Sequence, residues 1–134
     1  MEVKNKKIAF VITDCSFDFE KLLQQIKKLK KLGALIFPII DNLSFNTDVD
    51  KKIEKFCETR ALHSIEDIKE KKLINSFDIM IIAPASENTI SKLACDIIDT
   101  PVLMIVKSHL RNNLPTIIAP SSLDGLRSKS KIYC

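Results

Sequence analysis

The sequence predicts a three-layer α/β/α domain built on a parallel sheet, with its carboxyl-terminal end shortened. Three observations predict it. Apolar runs of strand length alternate with amphipathic stretches of helical length from residue 7 to residue 119. The runs at 79–82 (Ile-Met-Ile-Ile) and 102–106 (Val-Leu-Met-Ile-Val) are unbroken, as in strands buried on both faces. The stretches between runs are long enough for right-handed crossovers rather than hairpins. A doubly wound sheet follows, with six strands in the expected order 3-2-1-4-5-6.

Residues 7–12 make the first strand. Residues 17–32 make a helix with Leu22, Leu23, Ile26 and Leu29 on its buried stripe. Lys27, Lys28, Lys30 and Lys31 form its wet face. Gly33 is placed to stop that helix in a left-handed conformation. The second strand is 35–40, followed by a loop at 41–46 and a helix at 48–59 that buries Val49, Ile53 and Phe56. A short third strand at 62–64 and a charged helix at 65–73 lead to the fourth strand at 79–82. A polar turn holding Pro84 stops that strand, and Asn88 or Thr89 can cap the next helix. Its apolar positions Ile90, Leu93, Ala94, Ile97 and Ile98 recur at helical spacing until Pro101 ends it. The fifth strand is 102–106, and a turn at 112–115 (Asn-Asn-Leu-Pro) precedes the sixth at 116–119. Residues 126–134 read as an irregular tail, so 1–134 is one domain.

With 134 residues the chain can build a core without metal or disulfide support. Its four cysteines, Cys15, Cys57, Cys95 and Cys134, have no paired spacing and read as structural thiols, with Cys15 set apart by its place in the first loop. The net charge of +4 is carried mostly by lysine, and tryptophan is absent, which argues against a stacking nucleic-acid surface. Two glycines, Gly33 and Gly125, are too few for a Walker loop or a dinucleotide fingerprint, both of which need backbone amides close to phosphate. No run approaches the roughly 20 apolar residues of a membrane span. The first residues lack a signal peptide's apolar region, so the expected location is cytoplasmic.

Ala83-Pro84-Ala85-Ser86-Glu87-Asn88-Thr89, followed by Ile-Ser-Lys-Leu-Ala, resembles the Pro-Ala-Ser-Ala-Asn-Thr motif of the homo-oligomeric flavin-containing cysteine decarboxylase (flavoprotein) family. Glu87 replaces a small residue. The stretch from Lys7 to Thr13, Cys15-Ser-Phe-Asp, Thr100-Pro-Val-Leu-Met, Leu110-Arg-Asn-Asn and residues 121–126 are similar to one branch, the B subunits of dipicolinate synthase from spore-forming bacteria. The resemblance runs from about residue 7 to residue 126. It implies a Rossmann-like flavoprotein fold, FMN across the carboxyl ends of the strands, and a trimer-based homo-oligomer. It also implies an A-type dipicolinate synthase subunit as partner and oxidation of dihydrodipicolinate to dipicolinate during sporulation.

On that mapping the flavin ring meets Pro84, Ala85, Ser86, Asn88 and Thr89, and the phosphate meets Thr13, Ser16 and Asp41. The same polar residues of the turn can serve only as caps. The first loop, Thr13-Asp14-Cys15-Ser16-Phe17, lacks the branch's glycine and is two residues shorter. Asp41 stands where a serine usually meets phosphate. Flavin is therefore expected to bind weakly or to have been lost. Arg111, with Asn112 and expected near the sheet's carboxyl edge, is the candidate for a substrate carboxylate, since guanidinium matches carboxylate bidentately; a surface role is equally open. His63 reads as an ordinary loop or strand-end histidine and His109 as a solvated one, so no catalytic residue is assigned. Two alternatives remain: a flavin-dependent decarboxylase of a peptide or pantothenoyl cysteine, and a non-catalytic scaffold that kept the fold and lost the flavin.

Overall fold

A computed structural model describes residues 2–13, 19–41, 47–70 and 76–120. The elements in order are β1 (Lys7–Ile12), α1 (Phe19–Lys31), β2 (Leu35–Ile40), α2 (Thr47–Cys57), α3 (Ile65–Glu70), β3 (Ile79–Ala85), α4 (Glu87–Ala94), α5 (Pro101–Arg111) and β4 (Thr116–Pro120). Four strands pair in parallel in the order β2-β1-β3-β4. Ile79 to Ile82 thus run through the sheet's interior, as their unbroken apolarity requires. The expected tail at 126–134 lies outside the described residues.

Alternation along β1 separates two cores. Ile8, Phe10 and Ile12 face α1 and α2, packing with Leu22, Leu23, Ile26 and Ile53. Ala9 and Val11 face the other way, into a cluster with Ile68, Met80, Ile82, Val102, Ile105 and Val106. Period-two side chains therefore give the sheet two buried faces and the domain three layers. Gly33 ends α1 with φ +88, the left-handed conformation expected of it. A Cβ there would also sit 3.0 Å from the Lys4 side chain.

The elements differ from expectation at four places, the first being β3, which runs through Pro84 to Ala85 instead of stopping at Ile82. The run 102–106 is helical, not a fifth strand, and Pro101 opens a helix instead of closing one. Thr100 caps α5, its hydroxyl accepting from the Leu103 N–H, with Pro101 at the first helical position, where its missing N–H costs nothing. Val102, Leu103, Ile105, Val106 and His109 are buried while Met104 is exposed, which is a helical stripe. The preceding helix stops at Ala94, leaving Ile97 exposed. The third strand shrinks to Leu62, bridged in parallel to Ile39 through Ile40 N–H to Leu62 O at 3.0 Å and Leu62 N–H to Pro38 O at 2.8 Å. The sixth expected strand is present as β4, directly beside β3.

Candidate functional site

Because the strands are parallel, Thr13 after β1, Asp41 after β2, His63 after Leu62 and Ala85 at the end of β3 come to one edge of the sheet. Open α/β sheets bind ligands at this carboxyl edge. Thr13 joins two of these loops. Its N–H and its hydroxyl both reach the Pro84 carbonyl, each at 3.2 Å, and its Oγ1 accepts the Ser86 N–H at 3.0 Å. The side chain is 3% exposed. A threonine read from the sequence as a phosphate contact thus pins the turn of 83–86 against the end of β1.

The same turn opens α4. Ser86 is the N-cap, so the cap lies ahead of both Asn88 and Thr89. Its Oγ accepts the Thr89 N–H at 3.1 Å and lies 2.8 Å from the Thr89 hydroxyl. Ser86 O receives the Ile90 N–H, which begins the helical ladder. Thr89 is buried and braces the cap, whereas Glu87 and Asn88 are exposed. The amides of Glu87 and Asn88, at the first two helical positions, have no acceptor within the helix and lie at its positive end.

The strand-two corner differs in charge. Asp41 is half-buried, and its N–H bonds to Ile12 O at 3.2 Å. Next to it the His63 Nδ1 lies 3.1 Å from Ile40 O, and Nε2 lies 3.6 Å from Asp50 Oδ2. Both ring nitrogens therefore face acceptors. The His63 N–H also donates to Asp67 Oδ2 at 2.8 Å, and Asp67 and Ser64 cap α3 reciprocally. That backbone hydrogen bond, helped by Ser64, holds the Asp67 carboxyl below its ordinary value. Burial pushes Asp50 up against the pull of His63, and its Oδ1 is buried without a hydrogen-bond partner. The sequence offered no signal for this cluster, because Asp50 and His63 meet only through tertiary contact.

Arg111 and Asn112 lie elsewhere. Asn112 caps the end of α5, and the chain then enters β4 at Thr116, which pairs with Met80 at the start of β3. Both residues are exposed at the amino edge of the sheet, opposite the loops just described, and the expected location at the carboxyl edge is wrong. The cause is the misread of α5 as a strand. A strand would have ended at the carboxyl edge, whereas the crossover helix returns to the amino edge. His109 is buried, not solvated, with Nε2 3.1 Å from Pro115 O. Ser16 and Asp14 lie outside the described residues. Cys57 is buried and its thiol is pushed up to about 12, mainly by burial, so it packs without reacting. Among the described residues, no cluster of three potential metal-ligating side chains occurs, and no helix is long and apolar enough to cross a membrane.

Residues 1–126 match the family model named Flavoprotein. The chain belongs to the flavoprotein family. It is 33% identical over 132 residues to the B subunit of dipicolinate synthase from Bacillus subtilis (strain 168), covering 92% of this chain and 66% of that protein. It therefore spans slightly less than two thirds of that relative's length. The crystal structure of the corresponding B subunit of dipicolinate synthase from Bacillus halodurans superposes with a TM-score of 0.73 at 27% identity, over 95% of this chain and 69% of the other. An FMN-dependent cysteine decarboxylase, SpaF, matches with the same TM-score of 0.73 at 21% identity, over 96% and 75% of the two chains, a likeness of fold. The flavoprotein fold expected from the 84–89 motif is thus present.

Proposed function

We propose that this chain is a dipicolinate synthase B-type subunit that binds flavin on the turn of residues 84–89 and works with an A-type subunit. The reaction would be oxidation of dihydrodipicolinate. The observation that carries the reading is the turn itself. It is stapled by Thr13, is capped by Ser86, and presents the Glu87 and Asn88 amides at the carboxyl edge, in a chain similar to the dipicolinate synthase B subunits.

The turn fits the ring end of FMN. Ser86 is small enough for a flat ring to approach, and two amide donors match the ring's pyrimidine oxygens. Ala85, expected on the ring side, is fully buried in the core instead, and Thr89 is buried and held down by the cap, so both support the surface from beneath. The phosphate end fits less well, since Asp41 would sit beside a dianion. Bound at this edge, flavin supplies a two-electron acceptor. The chain's own part is to hold the ring through Ser86 and the α4 amides. Thr13, buried between the loops, keeps that surface from yielding.

Asp41 also favours a second reading, a scaffold that has lost flavin. Cysteine decarboxylation is less favoured. The family's decarboxylases use a histidine, and of the two in this chain His63 has both nitrogens engaged while His109 belongs to the amino edge. Self-association, as trimers or multiples of them, goes with the flavin reading, and the exposed Ile117 and Ile118 of β4 offer apolar surface for it.

The absorption spectrum of the purified protein, before and after FMN is added, tests the proposal. A flavin band that survives gel filtration supports it. A colourless protein that quenches neither FMN nor riboflavin fluorescence leaves the scaffold. Sedimentation at micromolar concentration tests assembly, and a stable monomer would exclude a site shared between copies.

A further inference from the structure

A cavity of about 190 Å³ lies between α3 and α5 on the face away from α1 and α2. Its floor is Phe77 and Met80, where β3 begins, and its walls include Ile65, Ile68 and Ile105. Ala85 lies five residues beyond Met80, about 17 Å away at the usual strand rise. The cavity is thus separate from the carboxyl-edge site.

One polar group in it is unusual. His109 is 5% exposed, and its Nε2 lies 3.1 Å from Pro115 O, which as a carbonyl can only accept. Nε2 therefore carries a proton, and in the neutral tautomer that this selects the lone pair lies on Nδ1. That nitrogen has no hydrogen-bond partner among the described residues. Pro115 O is further fixed by the Met80 N–H at 3.0 Å, so the tautomer is set by the fold. Ser108 and Asn112 sit at the exposed rim, with the Asn112 amide tied to Ser108 O.

We infer that this cavity is a second ligand site, one that takes a compact aromatic ring carrying a single hydrogen-bond donor. Apolar walls would take the ring and Nδ1 would accept the donor. The volume suits one six-membered ring, since an engineered cavity of about 150 Å³ in another protein binds benzene. It is too small for a flavin or another ligand of drug size, whose pockets run to roughly 300 Å³ or more. The inference stands independently of the proposed function.

Phenol is the probe and toluene the control, titrated into the full chain and followed by amide and imidazole nitrogen NMR. Saturable phenol shifts are expected at Ile68, Met80 and Ile105 and not at residues 86–89, with a dissociation constant on the order of 1 mM. The His109 Nδ1 signal should move with phenol and stay put with toluene. His109→Leu should weaken phenol roughly fivefold and leave toluene unchanged, as for one neutral hydrogen bond. If that variant does not fold, the Nδ1 signal of the wild-type chain decides alone. Absence of saturation, shifts centred on residues 86–89, or an Nδ1 signal that ignores phenol would each overturn the inference. So would concentration-dependent shifts of the same residues without ligand, which would mark the groove as a face between copies.

Discussion

Two corners of the carboxyl edge lie side by side and are built on opposite principles. At the β3–α4 turn the Thr13, Pro84, Ser86 and Thr89 contacts are neutral, short and mutual. At the corner formed by β2, Leu62 and the start of α2, the contacts run to the carboxylates of Asp50 and Asp67, and one Asp50 oxygen has no hydrogen-bond partner among the described residues. A network with its hydrogen bonds satisfied is rigid and inexpensive to maintain. A half-buried carboxylate with one unsatisfied oxygen costs desolvation that its partner only partly offsets. The first corner is therefore the more rigid of the two, and the second carries the negative charge.

The largest effect should come from breaking the neutral corner. Thr13→Val keeps the shape but leaves the buried Ser86 N–H without its acceptor. A loss of about 1–3 kcal/mol is expected, read as a lower urea midpoint with unchanged slope. A change of a few tenths would mean that water replaces the hydroxyl and the staple is dispensable. Ser86→Ala removes the α4 cap and should cost about 1 kcal/mol by the same measurement, with Ser86→Thr largely restoring it.

The acidic corner is sharpened through ligand charge. Asp41→Ser should tighten FMN roughly fivefold and leave riboflavin unaffected. Two unit charges about 4 Å apart in water repel by about 1 kcal/mol, and only the phosphate senses them. Fluorescence-quenching titrations decide it, and equal gains for both ligands would remove Asp41 from the phosphate's neighbourhood.

The smallest effect is on pH dependence, where the two carboxylates facing His63 act with opposite sign. Asp50 is raised in the fold, so its contribution is complete below its unfolded value near 3.8 and is lost as pH rises through the raised one. Asp67 is lowered, so its contribution is present above 3.8 and is lost as pH falls through the lowered one. Melting temperatures of Asp50→Asn relative to wild type should therefore improve between pH 3 and pH 7, by roughly a degree or two for an effect of a few tenths of a kcal/mol. Those of Asp67→Asn should worsen over the same interval. Parallel profiles for the two variants would show that neither group senses His63 as the geometry indicates.

Much of this edge was readable in advance. The motif at 84–89 located the turn, since proline, small residues and a capping triplet after an apolar run describe a strand giving way to a helix. Its stapling by Thr13 was not readable, because the two residues are 71 positions apart and meet only when β1 and β3 pair. The run 102–106 misled because unbroken apolarity fits a buried strand and a buried helix alike. The Thr100-Pro101 pair was the local signal that favoured the helix. That one reversal carried Arg111 and Asn112 from the expected ligand edge to the opposite one.

By itself the sequence determined the layered α/β class, the position of the β3–α4 turn, the left-handed stop at Gly33 and the family. Each of these depends on residues close in the chain, where apolar period, caps and backbone freedom act. Tertiary structure alone decided that β4 lies directly beside β3, that Thr13 braces the turn, that Asp50 and His63 meet, and that His109 has one nitrogen engaged and one spare. Those facts depend on which distant segments the parallel sheet and its crossover helices bring together, and burial then sets the charge and hydrogen-bond state of the groups that meet.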